Sequence, residues 1–309
     1  AANGAEAVER AAATAPAVSL DELTAADGRF RVDRIVELAP LADRVVRSLE
    51  TSDEALRDLS TDWLTGPMSG AVDELRAEIS GSLPDARTVV DALEVAPGLL
   101  GAEGERTYLV LLGNPAEARE LGGFVANVGV LTAADGRLDF RSLDPLPTLE
   151  GPLQDAALPL PEDLPVEYAN AQPHRFVRSW TDSPDIQTIA DTVATLAPVF
   201  VDLEVDGVLY LDPHVVAALL ELTGPVVVPE TDDEITADNA VDYLLRDQYL
   251  ADDFEADGER KERLGAAGEL AFDRLLTGGF PGPRRMADLL SPLVRGRRLL
   301  FTTTDPAPH

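Results

Sequence analysis

Apolar positions in the first third of the chain fall at helical spacing. From Val32 they recur at Ile35, Val36, Leu38, Leu41, Val45, Val46 and Leu49, then at Leu56 and Leu59. This three-and-four repeat lines one face of a 3.6-residue helix. Gly66-Pro67 interrupts it, and it resumes through Met68, Val72, Leu75, Ile79, Leu83, Val89, Val90, Leu93, Leu99 and Leu100, with Pro84 marking a kink or a fresh start. The pattern predicts a helical hairpin or small bundle over residues 1–104, its Asp, Glu and Arg side chains forming a solvated face.

Near Glu103-Gly104 the period changes. Continuous or alternating apolar runs at 108–112, 124–132 and 138–142 read as strands, and Asp135-Gly136 between the last two is a hairpin signal. Seven prolines between Asp144 and Pro173 predict an irregular crossing, because each removes a backbone donor and fixes φ. Ser183-Pro184 is an N-cap followed by a first-turn proline, opening a helix through Ile186, Ile189, Val193, Leu196 and Phe200. Residues 205–211 form a strand, Asp212-Pro213 repeats the helix-start signal, and Gly224-Pro225 ends that helix before a short strand at 226–228. Thr236 caps a further helix through Tyr249, apolar spacing returns at 264–276 and 286–293, and 299–303 is a closing strand. Helices alternating with strands predict an α/β layer domain over residues 105–309.

Composition narrows the function. A net charge of −31 and a pI near 4.2 exclude a general electrostatic footprint for DNA, RNA or anionic lipid, since phosphate contacts need clustered cations. The acidic surface reads as hydration or a salty habitat. Lys261 is the single lysine among 25 basic residues, a bias expected of a GC-rich genome. There is no cysteine, so thiolate chemistry and disulfides are excluded, and three histidines make a His-rich zinc site a poor expectation. No apolar run approaches the roughly 18 residues that cross a bilayer, and the first residues lack a signal-peptide layout. A membrane anchor would therefore precede Ala1.

No nucleotide-binding glycine loop, zinc-protease pair, calcium loop or serine-hydrolase elbow occurs. The candidate chemistry lies in arginines and carboxylates at segment ends. Asn114, Glu117 and Arg119 sit after the first strand, where open α/β sheets place ligands, and Gly122-Gly123 either permits close ligand approach or makes a tight turn. Arg178 precedes a helix start, Arg246 lies late in a helix, and Arg260 and Arg263 flank Lys261 at another start. Converging guanidinium groups would suit phosphate or pyrophosphate; taken singly, each arginine pairs more simply with one of the 56 carboxylates. Asp182 and Asp185 are open to two readings: helix capping, or a magnesium site completed by bound phosphate.

Four separated blocks then point to a family. LVLLGNPAEARELGGFVANVGVLTAADGRL, SWTDSPD, VDGVLYLDPHVVAALLELTGPVVV and TADNAVDYLLRDQY, in this order, resemble the bacterial domain of unknown function 4012, whose members resemble membrane-anchored proteins of actinobacterial and related envelopes. The third and fourth blocks are also similar, more distantly, to LytR-CpsA-Psr enzymes. That resemblance implies a mixed sheet flanked by helices behind the helical hairpin or bundle, and an extracytoplasmic place in the cell envelope. It further implies a phosphotransferase moving glycopolymer from polyprenyl-pyrophosphate to the cell wall, with magnesium. Under it, Arg246 and Arg260 or Arg263 would be pyrophosphate ligands; taken with the segment-end candidates, the site would have Arg119, Arg246 and Asp182 as catalytic residues, Asn114, Glu117, Arg178, Arg260 and Arg263 as ligand-binding ones, and Asp182 and Asp185 as metal ligands. The chain departs from those enzymes where Leu245 replaces the first arginine of a pair and Gly113-Asn114-Pro115 replaces their first-strand signature. The alternative function is a non-catalytic envelope module that binds a glycan, a lipid carrier or a protein partner.

Overall fold

The computed structural model describes residues 23, 29–59, 66–142, 146–156, 158, 164–227, 233–247, 269–275 and 283–304. The chain divides into a helical unit, Phe30–Gly104, and an α/β unit, Glu105–His309. In the first, α1 (Val32–Arg57) and α2 (Gly66–Leu99) form the hairpin that the spacing predicts. Ile35, Leu38 and Ala42 near the start of α1 pack with Leu93 near the end of α2, whereas Val46 packs with Ile79 and Leu83, so the two helices run antiparallel. Gly66-Pro67 opens α2 instead of lying between helices, a placement where proline's missing N–H is harmless. Pro84 does not start a new helix: α2 continues through it. Its missing donor falls opposite the carbonyl of exposed Ser80, which water can satisfy.

A five-stranded mixed sheet organises the α/β unit, in the order β3-β2-β1-β4-β7. Its members are β1 (Arg106–Asn114), β2 (Phe124–Ala134), β3 (Arg137–Ser142), β4 (Gly207–Leu211) and β7 (Leu299–Thr303). Only β1 and β4 run parallel; the other neighbours are antiparallel. Asp135 and Gly136, with φ of 48° and 79°, make the tight β2–β3 turn, a conformation that the Asp-Gly pair supplies at low cost. Strands β5 (Val226–Val227) and β6 (Glu234–Ile235) pair separately.

Both faces of the sheet are covered. Leu109 and Leu111 of β1, Val128 and Val130 of β2, and Val208 and Tyr210 of β4 share one core with Trp180 and with α5 (Ile186–Phe200), which contributes Ile189, Val193 and Leu196. Each such buried side chain contributes about 1.5–3 kcal/mol. On the other face, Val110, Leu209 and Leu211 meet α6 (Pro213–Thr223) through Val215 and Leu219, and Leu275 and Phe272 of the helix at 269–275. Phe140 stacks on Phe272 with ring centres 4.5 Å apart. The α/β class, mixed sheet and helical N-terminal region read from the sequence are therefore present.

The proline-rich stretch is more regular than its composition suggests. It holds α3 (Leu146–Asp155) and α4 (Val166–Asn170). Pro147 is the second residue of α3 and Pro165 the N-cap of α4, both positions that need no helical N–H from proline. The next helix begins after Asp185, not after Ser183: Asp185 accepts from the backbone N–H groups of Gln187 and Thr188, while Ser183 Oγ accepts from Asp185 N–H. The helix expected to start at Thr236 begins later: Asn239 is the N-cap of the turn α7 (Ala240–Asp242), which runs into a π-helical turn, Tyr243–Asp247, while Thr236 and Asn239 exchange backbone-to-side-chain bonds just before it. Helix α8 spans 269–275, and the last helix, α9 (Pro283–Arg295), is longer than its predicted core.

Candidate functional site

The β1–β2 connection is held in shape by its own backbone. Asn114, buried at the end of β1, turns its Oδ1 back to accept from Ala116 N–H at 3.0 Å, and its carbonyl accepts from Glu117 N–H. Glu117 O then accepts from Phe124 N–H at 2.9 Å, and Arg119 O from Gly122 N–H at 3.1 Å. Asn114 thus shapes the turn, and the Glu117 side chain is exposed. The glycines serve packing against the chain itself. A Cβ on Gly113 would stand 2.1 Å from the Tyr210 hydroxyl, and one on Gly123 2.5 Å from the carbonyl carbon of Asn114. Gly122, at φ +153°, lies against the same tyrosine.

Arg119 and Asp182 are the predicted residues that come together. Arg119 Nε lies 3.2 Å from Asp182 Oδ1, with both side chains about 30% exposed, at 31% and 30%. The guanidinium also sits over the Phe124 ring at 5.6 Å, a contact worth roughly 0.5–1 kcal/mol at a partly exposed site. The two segments are tied by Leu121 N–H donating to Thr181 O at 3.0 Å. Asp182 closes the 3₁₀ turn Val177–Asp182. Burial raises its carboxyl above the ordinary 3.8, against the downward pull of Arg119 and of a Ser179 hydrogen bond, while neighbouring Glu120 pushes the same way as burial.

The other candidates are engaged elsewhere. Asp185 gives both oxygens to the start of α5, with Thr188 Oγ1 donating at 2.7 Å, and these bonds hold its carboxyl below 3.8. The capping alternative is thus the one its geometry follows, and among the described residues no group of three or more Asp, Glu or His is placed to hold a metal ion. Arg178 is exposed and stacks on Phe176 at 4.6 Å. Arg246 is exposed on the π-helical turn. Arg260 and Arg263 lie outside the described residues.

A second charged cluster was not anticipated. Asp212, 3% exposed at the end of β4, caps α6 through His214 N–H at 2.9 Å and pairs with Arg298 at 2.7 Å. Arg298 Nη1 also lies 2.7 Å from His214 Nδ1. The same Nδ1 lies 3.3 Å from Asp212 Oδ2, so the three side chains meet at one point. Asp212-Pro213 was visible as a helix start, but Arg298 joins it only because Leu211 and Leu299 are partners across β4 and β7.

The chain has a family match and distant structural neighbours. Residues 103–249 match the family described as "Protein of unknown function (DUF4012)". That segment runs from the start of β1 to the π-helical turn, and so contains Arg119 and Asp182. A search of curated proteins gives no match. Among solved structures, the chain is similar to the transcriptional regulator yvhJ from Bacillus subtilis, with 10% identity over 64% of this chain and 70% of that one, at a TM-score of 0.36. It is similar to protein gbs0355 from Streptococcus agalactiae, with 14% identity over 67% and 71%, at 0.42. B. subtilis TagV follows, with 10% identity over 64% and 74%, at 0.39.

Proposed function

We propose that the α/β unit is a binding module of the bacterial cell envelope that holds the pyrophosphate of a polyprenyl-linked glycopolymer at the β1–β2 loop. Arg119 is the anchoring cation. The observation that carries this reading is its position: a half-buried guanidinium beyond the carboxyl end of β1, steadied by Phe124 and presented on a loop locked by backbone hydrogen bonds. A planar guanidinium forks onto phosphate oxygens, and on a chain of charge −31 a local cation gives selectivity. Holding is favoured over transfer because Asp185 is committed to helix capping, which leaves it unready for magnesium-assisted chemistry.

The module would stand outside the cytoplasmic membrane; among the described residues no helix is long and apolar enough to cross a membrane. The test is incubation of the protein with farnesyl pyrophosphate linked to a short glycan, a peptidoglycan fragment and magnesium. The expected result is binding with the pyrophosphate bond intact and no dependence on magnesium. Release of farnesyl phosphate, lost on Arg119→Ala or Arg246→Ala, would instead establish a glycopolymer phosphotransferase.

A further inference from the structure

Arg119 is not free to meet an anion. Its Nε already faces Asp182 Oδ1 at 3.2 Å, and the two chain segments that carry the pair are fastened by the bond from Leu121 N–H to Thr181 O. Opening the pair therefore needs a side-chain rotation and no backbone movement. A bound phosphate oxygen and the Asp182 carboxylate are chemically alike to the guanidinium, and they compete for the same donors. We infer that Asp182 is an internal anion that closes the Arg119 site, and that ligand binding proceeds by displacing it. This inference rests on the binding function proposed for Arg119 and adds its regulation.

The groups that face Asp182 decide how the closure responds to pH. They are Arg119 and Glu120 from the β1–β2 loop, Tyr168 from α4 and Ser179 from its own turn. Arg119 and Ser179 favour the carboxylate; burial and the negative charge of Glu120 oppose it, and the balance lies on the side of the neutral acid relative to an ordinary aspartate. Tyr168 is itself pushed far upward by burial, stays neutral across this range and donates to Trp180 O, so it does not supply the countercharge. As pH falls, Asp182 takes up its proton earlier than exposed carboxylates do, the competing charge disappears, and Arg119 becomes available. The carboxylate closes the site, and its protonation opens it.

The experiment is equilibrium binding of inorganic pyrophosphate to the full chain and to three variants, Asp182→Asn, Asp182→Ser and Asp182→Asn/Arg119→Ala, at pH 7.5 and 5.5. At pH 7.5 Asp182→Asn binds at least tenfold more tightly than the unmodified protein, and Asp182→Ser, which shares no amide with it, follows in the same direction. At pH 5.5 the ratio between the unmodified protein and Asp182→Asn shrinks; the ratio cancels the ligand's own protonation. The double variant loses the gain. Equal or weaker binding by both single variants overturns the closure while leaving the binding function standing, since Asp182 would then be orienting Arg119. A gain that survives Arg119→Ala also overturns it. Absence of binding by every form overturns the binding function and the closure together.

Discussion

Gly113→Ala tests the packing that positions the β1–β2 loop. The new Cβ would lie 2.1 Å from the Tyr210 hydroxyl and 2.5 Å from two ring carbons, all far inside van der Waals contact. Tyr210 is 1% exposed and belongs to the main core, so the ring cannot swing into water. Gly113 lies in β1 at the register shift where Leu112 pairs with Asn127 and Gly113 with Val125. The backbone there is already irregular and fixed on one side by β2. Overpacking of a close-packed core costs about 1–3 kcal/mol, and an overlap of this size against a buried ring places the expected loss near the upper end, about 3 kcal/mol. For a unit of this size that is a drop in Tm of roughly 6–12 °C.

The chain has two tryptophans, Trp63 and Trp180, so Trp63→Phe leaves fluorescence from the core indole as the reporter of this unit. Tyr210→Leu removes the offending ring atoms. The double variant should therefore be less destabilised than the sum of its parts, by about 1 kcal/mol or more of coupling, as expected for residues in contact. A loss below about 0.5 kcal/mol for Gly113→Ala, or strict additivity with Tyr210→Leu, would refute the packing argument.

Two further outcomes follow from the charged groups. Asp185→Ala removes the N-cap of α5 and should cost about 0.5–2 kcal/mol by urea unfolding at pH 7. Because the folded protein holds Asp185 below its ordinary 3.8, that contribution is complete above this value and vanishes as pH falls through the depressed folded one, so parent and variant curves should converge in strong acid. Of the five tyrosines, Tyr108 and Tyr210 are pushed up to about 12 by burial and Tyr168 beyond that. Spectrophotometric titration should therefore leave these three un-ionised at pH 11. Their raised values mean stability is lost as pH climbs above the unfolded value of 10 toward the folded ones, and ionisation of all five tyrosines near pH 10 without unfolding would contradict the buried core.

The sequence made some elements plain for physical reasons. The β1 and β2 runs are visible because a sheet covered on both faces demands apolar residues, and β3 because Leu138 and Phe140 alternate with exposed Arg137, Asp139 and Arg141 behind the Asp135-Gly136 hairpin. Asp212-Pro213 announced α6 because its cap and first turn are local chemistry. The helices α3 and α4 were hidden by prolines that occupy their first residues, where composition cannot distinguish a helix start from irregular chain. Strand β6 is two residues long and has no period to read. In the site, Arg119 was visible as a charge after a strand, and Asp182 as a charge before a helix. Their pairing across 63 positions depends on the backbone tie between Leu121 and Thr181, which no spacing announces. The cluster of Asp212, His214 and Arg298 was hidden for the same reason, being assembled by strand pairing.

Isothermal titration of the full chain and of Arg119→Ala with farnesyl pyrophosphate, at fixed low ionic strength and pH 5.5, is the most direct test of the function proposed for the β1–β2 loop. Loss of a charge-assisted bidentate contact predicts binding at least tenfold weaker in the variant, equivalent to about 1.4 kcal/mol or more. Equal affinity in the two proteins would show that the anion is held elsewhere and would contradict the role assigned to Arg119.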